Sequence, residues 1–272
     1  MINPVRRLDS PRPLLHHSLQ AGTRLYAIGD IHGRLDLLDS LLRGIAIDAA
    51  QSAAPHKRVL FLGDVIDRGP QSAAVVEKLR RGPVEMRPGD MRPGDMRDVR
   101  WICLRGNHED TLLNFLADPE EYGPRWLANG GLATISSYVG EPVESLMPQG
   151  RNWDRHTLML LRDALAAALP TAHRSFLEAL PSYHMEGDFL FVHAGLRPGI
   201  ALADQTIRDL LWIRHDFLGS EIDHGPMIVH GHTIAAAPDV QANRIGVDTG
   251  AYASGHLTAL VLEGHSLHFL TT

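Results

Sequence analysis

The composition of the chain excludes several classes of protein before any motif is considered. The sequence has 272 residues, of which 44% are hydrophobic, and this fits one large α/β domain better than two small ones. The net charge of −6 and a pI near 6.2 argue against a nucleic-acid partner, because such binding normally leaves a basic face. No apolar run approaches the roughly 20 residues that a membrane helix needs, so we expect no membrane partner.

The cysteine content and the first residues bear on the compartment. Cys103 is the only cysteine, so no intramolecular disulfide can form and a reducing compartment is expected. Arg6 and Arg7 are not followed by the apolar segment of a signal peptide. The sequence therefore predicts a cytoplasmic protein, and the strong preference for arginine over lysine suggests a GC-rich bacterial genome.

The first predicted segment is an extended arm over residues 1–23. Pro4, Pro11 and Pro13 lie there without apolar periodicity, and proline favours extended or turn conformations. Simple disorder is the alternative interpretation. Residues 24–272 then form one folded domain.

Four short apolar runs each lead to a polar side chain of metal-ligand type. They are residues 25–28 before Asp30, 59–62 before Asp64, 101–104 before Asn107, and 189–192 before His193. Short apolar runs indicate buried strands, and the glycines beside the polar residues permit sharp turns. Helices between such strands would complete an α/β sheet with a site along one edge.

The remaining elements follow the same alternation of apolar patterns. Leu38, Leu41, Leu42 and Ile45 recur at helical spacing, which predicts a helix over residues 35 to about 49. The pentapeptide Met-Arg-Pro-Gly-Asp then occurs twice, at residues 86–90 and 91–95. Proline-glycine pairs specify turns, so we interpret this repeat as a duplicated surface loop; a loop that contacts acidic partners is the weaker alternative.

A helical pattern dominates from about residue 110 to 183 and predicts a helical insertion beside the site. Residues 126–131, Trp-Leu-Ala-Asn-Gly-Gly, lie within this insertion. After it, apolar runs at residues 227–229, 245–247, 257–262 and 267–270 are separated by turns, and we expect them to form strands of a second sheet.

Six side chains in these segments could bind metal ions: Asp30, His32, Asp64, Asn107, His193 and His232. A mixture of carboxylate and imidazole suits manganese, iron or zinc better than magnesium or calcium. Two such ions about 3.5–4 Å apart can clamp a phosphoryl group and activate a water molecule. One carboxylate must bridge them, and Asp64 is the candidate. Taken singly, Asp30 or Asp64 could instead cap a helix.

The order of the motifs resembles a known family. GDxHG, GDxxDRG and GNHE occur intact at residues 29–33, 63–69 and 106–109, followed by His193 and His232. In this the chain resembles the phosphoprotein phosphatase family within the calcineurin-like metallophosphoesterases, and residues 126–131 are similar to a segment of bacterial members. The resemblance implies an α/β fold for residues 24–272: a four-layer αββα sandwich of two mixed β-sheets flanked by helices, with a dinuclear metal site at the strand ends.

The resemblance also implies a role for each motif residue. The first metal would be held by Asp30, His32 and Asp64, and the second by Asp64, Asn107, His193 and His232. Manganese is the first candidate for both ions, with iron or zinc as alternatives. His230 would point elsewhere or support the ligands.

Further motif positions would serve catalysis and substrate binding. His108 would be the general acid, oriented by Asp67. Arg68 and, on weaker grounds, Arg214 would bind the substrate phosphate through their planar guanidinium groups. Arg105 is expected to make a supporting ion pair.

These assignments predict a metal-dependent phosphomonoesterase in which a metal-bridging hydroxide attacks the phosphate. The first expectation is a protein serine/threonine phosphatase with a phosphoprotein or phosphopeptide substrate; phosphotyrosine activity stays open. The first alternative is a dinucleoside tetraphosphate hydrolase, a branch that generally departs from the Asp67–Arg68 pattern. The second is a non-catalytic metal-dependent protein that docks phosphoproteins, which would usually lack a ligand or the acid.

Overall fold

The apolar runs that precede the predicted ligands form the parallel parts of two β-sheets. The structure is a computed structural model that describes residues 5–10, 14, 16–83, 99–143 and 153–272; the pentapeptide repeat lies outside these residues. The described strands are β1 (Arg6–Asp9), β2 (Thr23–Ile28), β3 (His56–Phe61), β4 (Val99–Cys103), β5 (Tyr183–Glu186), β6 (Phe189–Val192), β7 (Met227–His230), β8 (Asp239–Val240), β9 (Arg244–Gly246), β10 (Thr258–Glu263) and β11 (Ser266–Thr271).

The helices lie between and after these strands. They are α1 (Leu35–Gln51), α2 (Ser72–Arg81), α3 (Asn107–Ala117), α4 (Pro119–Trp126), α5 (Leu132–Val139), α6 (Arg155–Ala168), α7 (Thr171–Glu178), α8 (Ile207–Trp212), α9 (His215–Leu218) and α10 (Ala251–Ser254). A π-helical turn at Leu127–Gly131 joins α4 to α5. Helices α3 to α7 therefore occupy the predicted helical insertion. None of the described helices is long and apolar enough to cross a membrane.

Both sheets are mixed, as predicted. The first has six strands in the order β1-β11-β10-β2-β3-β4, with β2, β3 and β4 parallel. The second has five strands in the order β5-β6-β7-β9-β8, with β6, β7 and β9 parallel. The carboxyl ends of the parallel strands carry the motif loops, so this arrangement fixes where the site lies.

Alternate side chains of the central strands enter different parts of the core. Tyr26 and Ile28 pack with the helices that cover the first sheet, including α1. Leu25 and Ala27 face the other way and pack with Phe189 and other side chains of the second sheet. Because strand side chains alternate between faces, β2 is buried on both faces. The layers are helix, sheet, sheet and helix, which confirms the predicted αββα fold.

The predicted positions of the last two strands were wrong. Residues 257–262 and 267–270 belong to β10 and β11, which lie in the first sheet rather than the second. Strand β10 pairs antiparallel with β2, with Ala259 opposite Ile28. Both faces of β10 are buried, Ala259 and Val261 on one side and Leu260 on the other, so apolar pattern alone could not identify its sheet. Within the predicted arm, Arg6–Asp9 forms β1 on the outer edge of β11.

Candidate active site

The loops that follow the strands place polar side chains in uncommon backbone conformations. His32, Asp64 and His232 have φ values of 47°, 48° and 62°, in the left-handed region that non-glycine residues rarely adopt. The loops stabilise one another through backbone hydrogen bonds: the His32 N–H donates to the Asp64 carbonyl at 2.9 Å, and the Gly231 N–H donates to the His193 carbonyl at 2.9 Å. Such strain is characteristic of functional sites.

Two glycines permit these loops to approach the carboxylates closely. A Cβ atom at Gly106 would lie 2.2 Å from Oδ1 of Asp64, and one at Gly231 would lie 2.2 Å from Oδ1 of Asp30. Any larger residue would displace the carboxylates, so the glycines of these two motifs are required by contact with the predicted ligands.

Two of the predicted histidine ligands are oriented by backbone carbonyl groups. Nδ1 of His32 donates to the Ile66 carbonyl at 2.8 Å, and Nδ1 of His193 donates to the Leu62 carbonyl at 2.9 Å. Because a carbonyl only accepts, each Nδ1 carries the hydrogen and Nε2 is directed inward. These Nε2 atoms lie 3.7 Å and 3.4 Å from Oδ2 of Asp64. The geometry supports the expected bridging position of Asp64.

The other predicted ligands converge on the same point. Oδ2 of Asp30 lies 4.0 Å from Nε2 of His32, and both Asp30 oxygens accept from the His232 N–H, at 3.1 and 3.2 Å. Oδ1 of Asn107, the first residue of α3, lies 2.9 Å from Nε2 of His193. The rings of His193 and His232 are 5.0 Å apart. The structure thus brings together all six residues predicted to bind metal.

The side chains of this buried cluster do not balance one another's charge. Burial alone would lower the pKa of His193, but the charge of Asp64 and the hydrogen bond to it, together with the charges of Asp30 and Glu109, outweigh burial and raise that pKa to about 10. Burial, and then the charge of Asp248, raises the pKa of Asp30 well above its usual value. A positive charge next to the carboxylates and the oxygen of Asn107 would therefore stabilise the cluster, and either a proton or a metal ion can supply it.

The donor atoms fit divalent metal ions. Ligand atoms of His32, Asp64 and His108, and those of Asp64, His193 and His232, lie within 4.8 Å of one another in two groups that share Asp64. Nε2 of His232 is buried without a hydrogen-bond partner among the described residues, and burial lowers its pKa to about 2. A neutral imidazole nitrogen of this kind is available to coordinate a metal ion.

His108 is held against a fully buried carboxylate. Nδ1 of His108 contacts Oδ2 of Asp67 at 2.5 Å, and the His108 N–H donates to Oδ1 of Asp64 at 3.0 Å. This leaves Nε2 facing the cleft, 3.7 Å from Oδ2 of Asp64. Burial lowers the pKa of His108, but the charges of Asp64 and Asp67 raise it to a net higher value. The structure thus pairs the two residues that the sequence analysis paired, in an arrangement that an oriented acid would need; their catalytic roles stay predictions. That His108 also falls within a ligand-like group reflects its position beside Asp64.

Asp67 is itself fixed by residues that the sequence analysis did not assign to the site. Nε1 of Trp126 donates to Oδ2 of Asp67 at 2.7 Å, and Oγ1 of Thr134 donates to Oδ1 at 2.5 Å. The Asp67 N–H donates to Oγ of Ser72 at 3.0 Å. The resemblance of residues 126–131 to bacterial family members was the available signal, but no spacing rule linked Trp126 to Asp67.

Arg68 reaches the cleft from a turn that the helical insertion supports. Its backbone has a φ of 67°, and its N–H donates to the Gly130 carbonyl at 3.2 Å. The guanidinium lies over the ring of Tyr252, 4.5 Å from the centroid, and Nη2 lies 3.3 Å from Nε2 of His108. Arg68 is thus placed beside the predicted acid, where a phosphate oxygen could accept from it.

The three remaining predicted residues occupy different positions. Arg214 is exposed on the loop between α8 and α9 and lines the same cleft. Arg105 lies 3.8 Å from Asp110 and donates to the Glu178 carbonyl at 2.6 Å, in agreement with a supporting role. His230 packs edge-on against Phe217 at 5.2 Å, outside the ligand groups.

Glu109 is a further residue whose role the motif concealed. Its buried carboxylate accepts from the N–H groups of Asp64 at 2.9 Å, Val65 at 2.8 Å and Gly106 at 2.8 Å. Burial, and then the charge of Asp64, raises its pKa to about 7. Glu109 therefore ties the loop that carries Asp64 to the start of α3, which explains the fourth position of the GNHE motif.

The site opens into a cleft of about 790 Å³. One wall is formed by α3 and α4, including Tyr122 and Arg125, and the other by α8 and the loop after it, including Trp212 and Arg214. Charged side chains of both signs line it, with Asp30, Asp64 and His108 at its floor. The cleft has room for a group larger than a single phosphate.

The paired sheets and the buried Asp-His-Asn cluster at their strand ends define a metallophosphoesterase. The family model for calcineurin-like phosphoesterases matches residues 23–266, and the chain belongs to this family.

Two relatives of similar length illustrate what the chain is similar to in sequence. The asymmetrical bis(5'-nucleosyl)-tetraphosphatase PrpE of Bacillus thuringiensis is 25% identical over 253 residues, which are 86% of this chain and 88% of that protein. The protein of the same name from Oceanobacillus iheyensis is 25% identical over 252 residues, 85% of this chain and 86% of that protein.

The structural neighbours confirm the fold. A proposed diadenosine tetraphosphatase superposes with a TM-score of 0.56 at 19% identity and covers 96% of both chains. A cold-active protein tyrosine phosphatase gives a TM-score of 0.56 at 17% identity over 90% of this chain and 76% of that one. A serine/threonine phosphatase from Saccharomyces cerevisiae gives 0.51 at 16% identity over 93% and 80%.

Proposed function

We propose that this metallophosphoesterase hydrolyses dinucleoside tetraphosphates. The observation that carries the proposal is the surplus of arginines in the cleft: Arg68, Arg125, Arg208 and Arg214 line it, and among the described residues none has a carboxylate oxygen within 4.0 Å. One or two guanidinium groups suffice for one phosphate, since each can bind two oxygens. The others suit a substrate with several phosphates in a row.

The relatives support the same substrate class. Both PrpE proteins are described as asymmetrical bis(5'-nucleosyl)-tetraphosphatases, and each is matched over more than four fifths of its length. At 25% identity, substrate does not follow from likeness alone, so the arginines of the cleft are the main support. The preference reverses the order of the two candidates that the motifs favoured.

The residues of the chain supply orientation and proton transfer. The six predicted ligands, Asp30, His32, Asp64, Asn107, His193 and His232, would hold two divalent ions, which when bound polarise phosphoryl oxygens and lower the pKa of a water molecule. Arg68 would donate to the phosphoryl oxygens that point into the cleft. Arg68 would then donate to the substrate instead of to His108. Nε2 of His108 would thereby be free to carry a proton.

His108 would then protonate the departing oxygen. Asp67, which contacts Nδ1 at 2.5 Å, keeps the ring in the orientation that points Nε2 at the cleft and stabilises the imidazolium form. Trp126 and Thr134 hold Asp67 in turn. A continuous set of hydrogen bonds thus runs from Trp126 and Thr134 in the helical insertion through Asp67 to His108.

A protein serine/threonine phosphatase is the second candidate. The intact group of Asp67, His108 and Arg68 favours it, because the resemblance to phosphoprotein phosphatases depends on these residues. Their presence together with all six predicted ligands also argues against a purely docking protein. The cytoplasmic location, the absence of nucleic-acid and membrane partners, and manganese as the metal stay predictions.

The test is a substrate comparison with purified, manganese-loaded protein. Diadenosine tetraphosphate is compared with phosphoserine, phosphothreonine and phosphotyrosine peptides, and His108→Asn is the control for contaminating activity. We expect kcat/KM for the dinucleotide to exceed that for every peptide by at least about tenfold, a difference of about 1.4 kcal/mol, with ATP and AMP as products. Faster turnover of the peptides would instead support the protein phosphatase.

A further inference from the structure

We infer that Arg125 is a specificity-determining residue that binds a second anionic group of the substrate, next to the phosphate being transferred. The inference deepens the proposed function and rests on it for the identity of the scissile group. It starts from one contact: the Arg125 guanidinium lies over the ring of Trp212, 4.1 Å from the centroid. Arg125 belongs to α4 and Trp212 to α8, so this contact joins the two walls of the cleft.

The contact orients the guanidinium without neutralising it. No carboxylate oxygen lies within 4.0 Å of Arg125 among the residues that the structure describes, whereas Arg197, on the opposite wall, is paired with Asp209 at 2.6 Å and with Asp216 at 3.3 Å. An aromatic face restricts a guanidinium to one plane and leaves its N–H groups at the edge free to donate. Arg125 therefore presents an oriented, uncompensated cation.

The position of Trp212 relates this cation to the predicted metal site. The Trp212 ring is 6.2 Å from the ring of His232 and perpendicular to it, with an interplanar angle of 81°. His232 is a predicted ligand, so Arg125 lies one aromatic ring away from the ligand cluster, farther than Arg68, which contacts His108. A single phosphate at the cluster is within reach of Arg68, and the adjoining anion of a longer chain would meet Arg125.

The α4 segment is built to hold this arginine in place. The Arg125 carbonyl accepts from the side-chain amide of Asn129 at 2.8 Å, and the next residue, Trp126, is buried and bonded to Asp67. The same short segment thus fixes the predicted acid pair through Trp126 and presents Arg125 to the cleft. The ligand class that fits both is a diphosphate or longer phosphate chain.

The inference is tested by comparing two inert ligands that differ by one phosphoryl-like group. Dissociation constants of orthophosphate and of methylenediphosphonate are measured by titration calorimetry with manganese-loaded protein at fixed free manganese. In wild-type protein we expect the diphosphonate to bind more tightly. In Arg125→Gln we expect the ratio of the two constants to fall about tenfold, the effect of losing one hydrogen bond to a charged group. Arg174→Gln, an exposed arginine of α7 paired with Glu178, is the matched control and keeps the wild-type ratio.

Each outcome bears on Arg125 separately from the proposed function. An unchanged ratio in Arg125→Gln, or an equal weakening of both ligands, would overturn the inference, because Arg125 would then bind no second anion or would act on the first phosphate or the fold. Equal binding of the two ligands by wild-type protein would also overturn it. The proposed function fails instead if wild-type protein prefers phosphopeptides to diadenosine tetraphosphate, and the calorimetric ratio can be read in either case.

Discussion

Charged groups that are partly or fully buried lie near both ends of strand β2, and the two ends are organised in opposite ways. At its start, Arg24 binds Asp48 and Glu263, and Tyr26 donates to Asp48 at 2.7 Å. Just after its end, Asp30 lies among other carboxylates and histidines. The first group, which we call the Arg24 network (Arg24, Tyr26, Asp48, Glu263), matches each charge with a partner from the chain.

The second group leaves its charges unmatched. Burial and the charge of Asp248 raise the pKa of Asp30, and Nε2 of His232 has no partner among the described residues. In the Arg24 network, burial opposes the charged form of Asp48, but His268, Tyr26 and Arg24 outweigh it and lower the pKa of that carboxyl. Partly buried charge that serves the fold is neutralised within the chain, whereas the buried charge of the candidate site lacks such partners and is available to bind a ligand.

The largest effect is expected from replacing Asp64, the carboxylate at the centre of the group after the end of β2. Asp64→Asn removes the carboxylate that faces His32, His108 and His193. We expect activity to fall by at least about 10³-fold, because metal ions contribute several kcal/mol of transition-state stabilisation. We also expect manganese to raise the Tm of the wild-type protein but not that of Asp64→Asn, since a ligand stabilises only the fold that binds it. Metal analysis and thermal melts measure both effects.

Asp48→Asn is the control for that experiment, because it removes a partly buried carboxylate of α1 that binds Arg24 at the other end of β2. This variant should keep its bound metal and its response to manganese. Two metal ions retained at full occupancy in Asp64→Asn would contradict the bridging position of Asp64.

The next effect concerns the acid rather than the metal. His108→Asn should lower kcat by about 10²–10⁴-fold, the usual contribution of general acid–base catalysis, and metal content should stay at the wild-type level. Steady-state kinetics on the preferred substrate, together with metal analysis of the same preparation, provide the measurement. Wild-type turnover in this variant would remove His108 from the mechanism.

A third prediction tests the Arg24 network. Asp48→Asn leaves Glu263 as the one carboxylate partner of Arg24 among the described residues and should lower the free energy of unfolding by about 2 kcal/mol, below the full cost of breaking a buried pair because water still reaches part of the network. The folded pKa of Asp48 lies below its ordinary value of 3.8, so its contribution is present above about pH 4 and is lost as pH falls. Urea unfolding at pH 7 and pH 3 should therefore give a larger difference between variant and wild type at pH 7. An equal difference at both values would argue against the charge of Asp48 as the cause.

The sequence predicted the cluster around Asp30 far better than it predicted the Arg24 network. The motif order predicted that Asp30, His32, Asp64, Asn107, His193 and His232 lie together, because chemistry constrains both the residue type and the adjacent glycines. The Arg24 network joins residues from β2, α1 and β10, and no local pattern relates residues so far apart. The same reason explains why the sheet of β10 was predicted incorrectly.

The supporting residues of the site escaped prediction for a related reason. Thr134 and Trp126 lie about sixty residues from Asp67 in the chain, and their spacing depends on how α4, the π-helical turn and α5 pack. The helical pattern of that region predicted helices but not which side chain faces Asp67. Residue type alone could not distinguish Trp126 from an ordinary core aromatic.

The smallest predicted effect measures this support. Trp126→Phe keeps an aromatic ring against Phe115, 4.7 Å away, but removes the N–H group that donates to Oδ2 of Asp67 at 2.7 Å. We expect kcat to fall about tenfold, the value of one hydrogen bond to a charged group. KM and metal content should change little, because Asp67 acts through His108 and not on substrate or metal directly.

Trp101→Phe is the matched control, since it deletes the same atoms at a second tryptophan. Nε1 of Trp101 has no hydrogen-bond partner among the described residues, and its ring packs edge-on against Phe61 in the first sheet. If the fall in kcat comes from the lost bond to Asp67, only Trp126→Phe shows it; if it comes from smaller aromatic volume, both variants slow alike. An unaltered kcat in Trp126→Phe would mean that Thr134 of α5 alone holds Asp67, so α4 would serve the cleft through Arg125 and not through the acid.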